Sequence, residues 1–428
     1  MTRILNFGSC NIDYVYELDH IVAPGETEAS SDLRVFSGGK GLNQSIAVAR
    51  AGGAVFHAGQ VGEDGAMLLD VMTESGVDVT NVKTVNTRTG HAIIQVTRDG
   101  ENSIFLHSGA NRSLTEPFID GVLSKFGSDD ILILQNEINL VEKIVRKAYG
   151  RGMRIMLTPS PINEDMLKLD LSMISYLLLN ETEARALSGS ENAENGVAQL
   201  CGRYPDLKIV LTMGKNGCVY RSATERYYHP IFKVDAVDTT AAGDTFAGYF
   251  IAATADGVPP ELAIKRASAA AAIAVSRKGA APSIPKLNEV LQAMRTMTLN
   301  KNTLDDKRQT EIILGYVTKN IRTARLSELS SILGYSKPYT SAVVKRLTGK
   351  PFSELLEDKR CEYAAELLAD TTLPIEEIIY RAGYANESFF RELFRKRYEK
   401  SPLEYRKNVA KSKTPPEAKN NSTQKYFK

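Results

Sequence analysis

The segment Asp238-Thr-Thr-Ala-Ala-Gly-Asp-Thr-Phe246 constrains the fold of this chain more than any other stretch. It follows an apolar approach containing Phe232, Val234 and Val237, and it opens a helical run of small residues. A strand that turns into a helix through small residues leaves backbone N–H groups unpaired at the positive end of the helix dipole, where anions bind. Asp244 adds a carboxylate at this turn, and a base beside an anion cradle suits phosphoryl transfer to an alcohol. The alternative interpretation is an ordinary strand–turn–helix connection with an aspartate cap.

A second segment, Ser37-Gly-Gly-Lys-Gly-Leu-Asn-Gln44, precedes a helical pattern at residues 45–51. Its three glycines let the backbone approach a small polar ligand, and Lys40, Asn43 and Gln44 offer donors and acceptors suited to sugar hydroxyls. The chain contains neither G-x-x-x-x-G-K-[ST] nor G-x-G-x-x-G, which excludes the P-loop and Rossmann fingerprints. The alternative interpretation is a glycine-rich turn without a ligand.

Together the two segments resemble the ribokinase family of sugar kinases, and the match extends over roughly residues 1–295. The resemblance implies a three-layer α/β/α domain with a mostly parallel sheet and a small β lid built from about residues 13–36 and 89–108. It implies that ATP lies at the carboxyl ends of the strands, as ligands generally do in open α/β sheets. Asp244 would be the catalytic base, and the N–H groups of Ala241, Ala242 and Gly243 would hold the developing charge.

The resemblance also assigns three groups of binding residues. The predicted sugar contacts are Asn11, Asp13, Gly39, Lys40, Asn43 and Glu137. The predicted contacts of ATP and its Mg²⁺ are Asn180, Glu183, Thr212, Gly214 and Gly217. The predicted loop for a K⁺ ion contains Asp238, Thr240, Ala274, Arg277, Gly279 and Ser283.

The identity of the sugar stays open between ribose, a related pentose, deoxyribose and a ribosyl compound such as a nucleoside or pseudouridine. Two residues, Leu42 and His91, depart from the family pattern, and either can reshape the pocket. Gly109-Ala-Asn111 is expected to close the second lid strand. Lids of this kind pair in relatives, so a homodimer through the lid is expected.

At 428 residues, the chain is too long for one kinase domain and predicts at least two domains. Residues 299–428 hold 25 Lys and Arg against 17 Asp and Glu, whereas the whole chain holds 53 against 51. This basic excess predicts a nucleic-acid-binding appendage, although a helical domain often carries a Lys-rich solvated face. The predicted boundaries are a kinase domain at 1–298, a linker at 299–309, a DNA-binding domain at 310–410 and a disordered tail at 411–428.

Two similar units appear in this second part. In the first, Leu326, Leu329, Ile332 and Leu333 fit one helical face, Gly334 ends that helix, and Ser336 can cap the next one. The second unit runs from Ile375 to Arg397, with Asn386 as the expected cap. Residues 353–369 are predicted to form a rigid helix that connects the two units. Two such helix–turn–helix units would place their second helices in successive major grooves, on the order of 34 Å apart.

These units resemble the DNA-binding domain of the AraC/XylS family of transcription regulators, over about residues 310–407. The resemblance implies an all-α domain that binds double-stranded DNA. Tyr384, Phe389, Phe390 and Phe394 are predicted to be core residues because of their helical spacing. The expected phosphate contacts are Lys345, Arg346, Arg395, Lys396 and Arg397. The expected base contacts are Lys337, Ser341, Glu387, Ser388 and Arg391.

Other features of the sequence bear on the cellular location of the protein. The chain lacks an apolar stretch of 18 residues, its beginning has no signal-peptide run, and its four cysteines are scattered. The sequence therefore predicts a cytoplasmic protein without a membrane partner. Five histidines show no metal-binding spacing.

Three interpretations of the fusion remain. The chain is an active kinase that also regulates transcription, or a sensor that kept the kinase fold without its chemistry, or a kinase whose helical domain serves assembly. Since each identifiable catalytic element is present, the first interpretation is favoured.

Overall fold

The computed structural model describes residues 2–97, 101–299, 306–333, 335 and 337–413. The chain divides into two compact units, Met1–Thr303 and Leu304–Lys428. The first unit contains all strands of the described residues and ten α-helices, and the second is helical.

The strands of the first unit are short and fall into two sheets. They are β1 (Arg3–Phe7), β2 (Asn11–Leu18), β3 (Asp32–Gly38), β4 (Ala54–Val61), β5 (Asp78–Thr84), β6 (Gly90–Thr97), β7 (Asn102–His107), β8 (Ile131–Gln135), β9 (Arg154–Thr158), β10 (Tyr176–Asn180), β11 (Lys208–Thr212), β12 (Cys218–Arg221) and β13 (Arg226–His229).

The large sheet has the order β13-β12-β11-β10-β9-β8-β1-β4-β5. Its strands are parallel except at β11–β12–β13, where the pairs are antiparallel. The chain order reverses between β1 and β8, and such a switch point opens a crevice at the carboxyl ends of the two strands. The ligand-binding crevice is therefore expected beyond Phe7 and Gln135.

The helices of this unit cover both faces of the large sheet. They are α1 (Lys40–Arg50), α2 (Ala66–Glu74), α3 (Glu116–Leu123), α4 (Val141–Gly150), α5 (Glu164–Leu167), α6 (Glu181–Ser188), α7 (Ala193–Arg203), α8 (Ala242–Ala255), α9 (Pro260–Val275) and α10 (Leu287–Thr296).

Alternate residues of the central strands enter two separate cores. Ile131 and Ile133 of β8 pack with α1, α8 and α9, whereas Leu132 and Leu134 pack on the face of α3, α4 and α7. A fully buried parallel strand reads as a continuous apolar run for this reason. The predicted three-layer α/β/α architecture is confirmed.

The second sheet has the order β3-β2-β6-β7 and forms the predicted lid. Strand β2 pairs antiparallel with β3 and parallel with β6, which pairs antiparallel with β7. Asp13 lies in register with Ala92, so both side chains share one face of the lid. Tyr14 and His91 lie on the opposite face, with ring centroids 6.1 Å apart.

Within its described residues, the second unit contains seven helices. They are α11 (Asp306–Lys319), α12 (Leu326–Leu333), α13 (Lys337–Thr348), α14 (Phe352–Asp370), α15 (Ile375–Arg381), α16 (Glu387–Tyr398) and α17 (Pro402–Lys413). The long helix α14 is the predicted connecting helix. Its first turns join one small core around Leu329 and Val343, and its second half joins another around Ile378 and Phe390.

The ends of this unit differ in detail from the sequence expectations. Helix α11 begins at Asp306, inside the predicted linker, and α17 reaches Lys413, inside the predicted tail. Gly334, Ser336 and residues 300–305 and 414–428, on which parts of those predictions rest, lie outside the described residues. Ile332 is 42% exposed, so its assignment to the buried face of α12 was wrong.

None of the helices in the described ranges is both long and apolar enough to cross a membrane.

Candidate active site and DNA-binding surface

The predicted turn into α8 is present, and it is strained at one residue. Ala241 adopts a left-handed conformation with φ of 59°, which is rare for a residue with a Cβ atom and costs about 1–2 kcal/mol. The first intrahelical bond runs from Thr245 N to Ala241 O at 2.8 Å, and Ala242 N reaches Thr239 O only at 3.3 Å. The N–H groups of the first turn are therefore largely available to an anion.

Asp244 lies in this first turn and is buried. Asn43 Nδ2 donates to its Oδ2 at 3.2 Å, and Gln44 Nε2 donates to its Oδ1 at 3.1 Å. Burial raises the pKa of the Asp244 carboxyl, while the Lys40 ammonium and the two amide donors oppose that rise. A carboxylate with a raised pKa that keeps charged and polar partners is suited to accept a proton.

The glycine loop shapes the space around the predicted sugar contacts. Gly39 has φ of 94°, a conformation that side chains disfavour, and directly precedes α1. A Cβ atom at Gly38 would lie 2.0 Å from the carboxylate of Asp13. The loop therefore has glycine at these positions because of backbone geometry and because Asp13 approaches closely.

The remaining predicted sugar contacts are braced by neighbours. Asn111 Nδ2 donates to Asn11 Oδ1 at 2.7 Å. Glu137 accepts hydrogen bonds from the hydroxyl of Ser9 and, at 3.0 Å, from the backbone N–H of Lys40. Burial raises the pKa of Asp13 to about 7, and the nearby Glu137 carboxyl adds to the rise.

Two adjoining cavities lie beside this cluster. One of about 260 Å³ contains Lys40, Asp244 and the end of β10 in its lining. The other, about 430 Å³, is lined by the loop after β11 and by α9. Thr212, Thr239 and Gly243 line both, so the turn before α8 lies where the cavities meet.

All five predicted contacts of ATP and Mg²⁺ line these cavities. Thr212, Gly214 and Gly217 line the larger one, while Asn180 and Glu183 line the smaller one. Asn180 and Glu183 also form a capping box on α6, with Asn180 N donating to Glu183 Oε2 at 3.0 Å and Glu183 N donating to Asn180 Oδ1 at 2.9 Å. Their pairing therefore has a structural role whatever else they bind.

The predicted K⁺ residues come from two segments that are joined by hydrogen bonds. Asp238 Oδ1 accepts from Thr240 N at 2.8 Å, and its Oδ2 accepts from Gly279 N at 2.9 Å. Arg277 N donates to Ala274 O at 3.0 Å, and Ser283 is fully buried. Carboxylate, carbonyl and hydroxyl oxygens suit a hard cation, so the donor set fits. The Arg277 guanidinium instead pairs with Glu289 at 3.2 Å.

The two departures from the family pattern lie away from the cluster. Leu42 is fully buried in the hydrophobic core beside the sheet. His91 lies on the lid face opposite Asp13, where it contacts Tyr14. Neither residue lines the two cavities, so the expectation that either one reshapes the pocket stays a prediction.

In the second unit, the predicted DNA contacts lie on α13 and α16. Lys337, Lys345 and Arg346 are exposed on α13, and Ser341 is half-buried there. On α16, Ser388, Arg395 and Lys396 are exposed. Glu387 and Arg391 form an i,i+4 ion pair with each other. A shallow groove of about 490 Å³ is lined by Arg391, Glu392, Arg395, Lys396, Ser401 and Pro402.

Two assignments in this unit need correction. Phe390 and Phe394 are fully buried and Tyr384 nearly so, as predicted, but Phe389 is 48% exposed and is not a core residue. Phe389 lies one position, or about 100° around the helix, from the buried Phe390. Arg397 is held by Asp358 and Glu362 of α14, so its charge is balanced within the unit.

Sequence reasoning missed the residues that support the site. Asn6 and Gln135 are buried polar side chains within or at the end of apolar strands, and Ser9 donates to Glu137. Asn111 was expected only to close the second lid strand, but it also holds Asn11 in place. Asn6 could have indicated such a network from the sequence, because it is an amide inside the apolar strand Arg3–Phe7 and buried amides require hydrogen-bond partners.

The comparisons with known proteins agree with this geometry. Residues 1–287 match the pfkB family of carbohydrate kinases, and residues 329–408 match a helix-turn-helix domain. Ribokinase of Haemophilus influenzae is 38% identical over 297 residues, which cover 67% of this chain and 96% of that protein.

Solved structures give the same result for the fold. Ribokinase of Cryptococcus neoformans in complex with ADP is 36% identical, with a TM-score of 0.61 over 68% of this chain and 99% of that one. Arabidopsis thaliana ribokinase with ribose and ATP is 28% identical, with a TM-score of 0.61 over 69% and 99%. This chain therefore belongs to the pfkB family of carbohydrate kinases, with a ribokinase-like domain followed by an AraC-type helix-turn-helix domain.

Proposed function

We propose that the first unit transfers the γ-phosphoryl group of ATP to the primary hydroxyl of a ribose-like pentose, and that the second unit binds DNA as a transcription regulator. The observation that carries the kinase assignment is the buried Asp244 carboxylate beside the open first turn of α8, at the junction of two cavities. The similarity to ribokinases over nearly their full length favours a ribose-like substrate.

In this proposal Asp244 accepts the proton of the attacking hydroxyl, and the N–H groups at the start of α8 stabilise negative charge on the transferred group. Asn43 supports a role in sugar binding because its Oδ1 is buried and has no partner among the described residues, so it can accept a sugar hydroxyl. Asn11, Asp13, Gly39, Lys40 and Glu137 complete the proposed sugar site.

Thr212, Gly214 and Gly217 would contact the nucleotide, and Asn180 and Glu183 would organise Mg²⁺. The Thr158 hydroxyl supports a polar ligand here, since it lines the smaller cavity and has no partner in the described part of the chain. A bound Mg²⁺ neutralises phosphate charge. The loop of Asp238, Thr240, Ala274, Gly279 and Ser283 would hold K⁺, with Arg277 acting only as a brace through Glu289.

The test is ATP turnover by the full chain on ribose, deoxyribose, fructose, adenosine and pseudouridine, with K⁺ and then with Na⁺ alone. We expect turnover on a ribose-like pentose and slower turnover without K⁺. Sugar binding without turnover on any member would replace the kinase proposal with the alternative, a catalytically silent sugar-sensing regulator.

Sugar affinity should depend on the charge of Asp13. Its pKa of about 7 means that the carboxylate, which accepts hydrogen bonds from hydroxyls, is lost as pH falls below 7. We expect the sugar Kd to rise between pH 8 and pH 6, approaching tenfold per unit below the pKa. Calorimetric titration of Asp13→Asn should give a weaker but flatter profile, and Asp32→Asn, on the exposed end of β3, serves as the control. An unchanged pH profile in Asp13→Asn would contradict this role.

The DNA proposal assigns phosphate contacts to Lys345, Arg346, Arg395 and Lys396, and base contacts to Lys337, Ser341, Ser388 and Arg391, with Glu387 orienting Arg391. The groove between α16 and α17 supports it, because three basic side chains converge there. Replacing Arg395 and Lys396 by Ala should reduce the slope of log K against log salt by about 2. An unchanged slope would contradict phosphate contact at these positions.

A lid-mediated homodimer is part of the proposal. Leu33, Val35 and Phe105 are 44–58% exposed, and strand register places them on the lid face opposite Asp13. Burying such side chains contributes about 1.5–3 kcal/mol each when fully desolvated. Sedimentation velocity should show a dimer for the wild type and a monomer for Phe105→Glu. A monomeric wild type would contradict dimerisation through the lid.

A further inference from the structure

A chain of buried amides leads away from the carboxylate of Asp244. Gln44 Oε1 accepts from Gln135 Nε2 at 2.8 Å, and Gln135 Nε2 also donates to Asn6 Oδ1 at 3.0 Å. Asn6 Nδ2 donates to Gly41 O and to Ser45 Oγ, both at 2.8 Å. Asn6, Gln44 and Gln135 are at most 1% exposed, so water does not compete for these bonds.

The direction of every bond in this chain is set by one backbone carbonyl. Gly41 O can only accept, so the amide nitrogen of Asn6 must face it and the Asn6 oxygen must face Gln135. Gln135 then presents its nitrogen to both neighbouring amides, and Gln44 turns its own nitrogen toward Asp244. The orientation of the Gln44 donor is therefore determined by a carbonyl that lies four residues from Asp244 along this chain of hydrogen bonds.

Gln44 and its neighbour Asn43 differ in a way that separates their roles. Asn43 donates to Asp244 and keeps an unpaired Oδ1, whereas both polar ends of Gln44 are occupied and the side chain has no exposed surface. A fully buried Gln44 with both polar ends occupied cannot also bind sugar hydroxyls, which corrects the prediction made for it from the sequence.

We propose that Gln44 is a positioning residue for the base Asp244, with its donor held in place by Gln135 and Asn6. This proposal rests on the proposed kinase function. A fixed N–H on Oδ1 holds the carboxylate in one rotamer and stabilises its charged form, which burial alone would disfavour. The network thus adds fixed neutral donors to the Lys40 ammonium, and together they favour the ionised form of a deeply buried carboxyl.

The test compares the pH profile of kcat/KM in the full-length wild type, Gln44→Met and Gln44→Glu. In Gln44→Met, the apparent pKa of the acid limb of this profile should rise by about 1, because the charged carboxylate loses a hydrogen bond. Gln44→Glu should move it further, since two adjacent carboxylates cannot both ionise easily. Gln135→Met should cause a smaller shift in the same direction, and Gln292→Met, at an exposed position of α10, should cause none.

The sugar KM decides between positioning and binding. We expect KM to stay within about twofold in Gln44→Met while kcat falls on the acid side, as the lost hydrogen bond requires. An unmoved acid limb together with a large rise in KM would overturn the proposal and make Gln44 a sugar ligand. A uniform loss of kcat at every pH, with the limb unmoved, would indicate a purely structural role and overturn it as well.

A second readout separates this proposal from the kinase proposal. Titration of the Asp244 carboxyl carbon in ¹³C-Asp-labelled full chain, assigned by its absence in Asp244→Asn, needs no turnover. If no sugar is phosphorylated, the kinase proposal fails while this titration still tests the network. The carboxyl pKa should rise in the order Gln135→Met, Gln44→Met, Gln44→Glu, and an unchanged titration would overturn the positioning role.

Discussion

Asp244→Asn should lower kcat on the best sugar by on the order of 10³-fold, which corresponds to about 4 kcal/mol of transition-state stabilisation. The substitution preserves the shape of the side chain but removes the carboxylate that we propose accepts the hydroxyl proton. The anion-binding turn and the other proposed sugar contacts remain, and only the Asn43 Oδ1 contact is disturbed, so sugar Kd should change only a few fold. The introduced amide faces donors from Asn43 and Gln44, and Asn43 can turn its unpaired Oδ1 toward it.

The measurement is single-turnover phosphorylation together with calorimetric sugar binding. Asp256→Asn is the matched control, because Asp256 caps the other end of α8 and is exposed. It should leave kcat within about twofold of wild type, since surface changes away from a site have small effects. A kcat for Asp244→Asn within tenfold of wild type would exclude Asp244 as the general base.

Phe390→Ala should destabilise the second helix–turn–helix unit, residues 375–397, by about 3–5 kcal/mol. Phe390 is fully buried, and its ring centroid lies 5.0 Å from that of Tyr384 and 5.4 Å from that of Phe394. This is a large fraction of the roughly 5–15 kcal/mol that stabilises a typical domain. DNA affinity should be lost, whereas kinase turnover should persist because the first unit has its own cores.

Phe389→Ala is the matched control, since the same substitution one residue earlier removes a side chain that is 48% exposed. Its stability should change by less than about 1 kcal/mol. Any loss of DNA affinity in this variant would then report a contact, such as packing on a thymine methyl group. Hydrogen exchange of residues 375–398 in the full chain measures the loss of stability in each variant. Equal protection in the two variants would contradict the difference in burial between Phe389 and Phe390.

The contrast between Phe389 and Phe390 shows where helical periodicity is reliable. The spacing correctly predicted a buried stripe through Phe390 and Phe394. It did not predict that Phe389 falls outside that stripe, because the width of a buried face depends on which elements pack against the helix. Ile332 failed for the same reason.

The same limit applies to the candidate site. Local chemistry predicted Asp244, the glycine loop and the lid strands, because turns, glycines and alternation act over a few neighbouring residues. The roles of Gln135 and Asn6 could not be predicted from local sequence, because Gln135 lies 91 residues from its partner Gln44 and 129 residues from its partner Asn6.

By itself, the sequence determined the two-domain organisation through its length and charge distribution, and the paired helix–turn–helix units through hydrophobic period and turn chemistry. The three-layer architecture and the lid followed from its resemblance to sugar kinases. Only the tertiary structure decided that Gln44 donates to the Asp244 carboxylate, that His91 lies on the lid face opposite Asp13, and that Arg397 pairs with α14. These properties arise from contacts between distant segments, and a side chain's partners are settled only when its element packs.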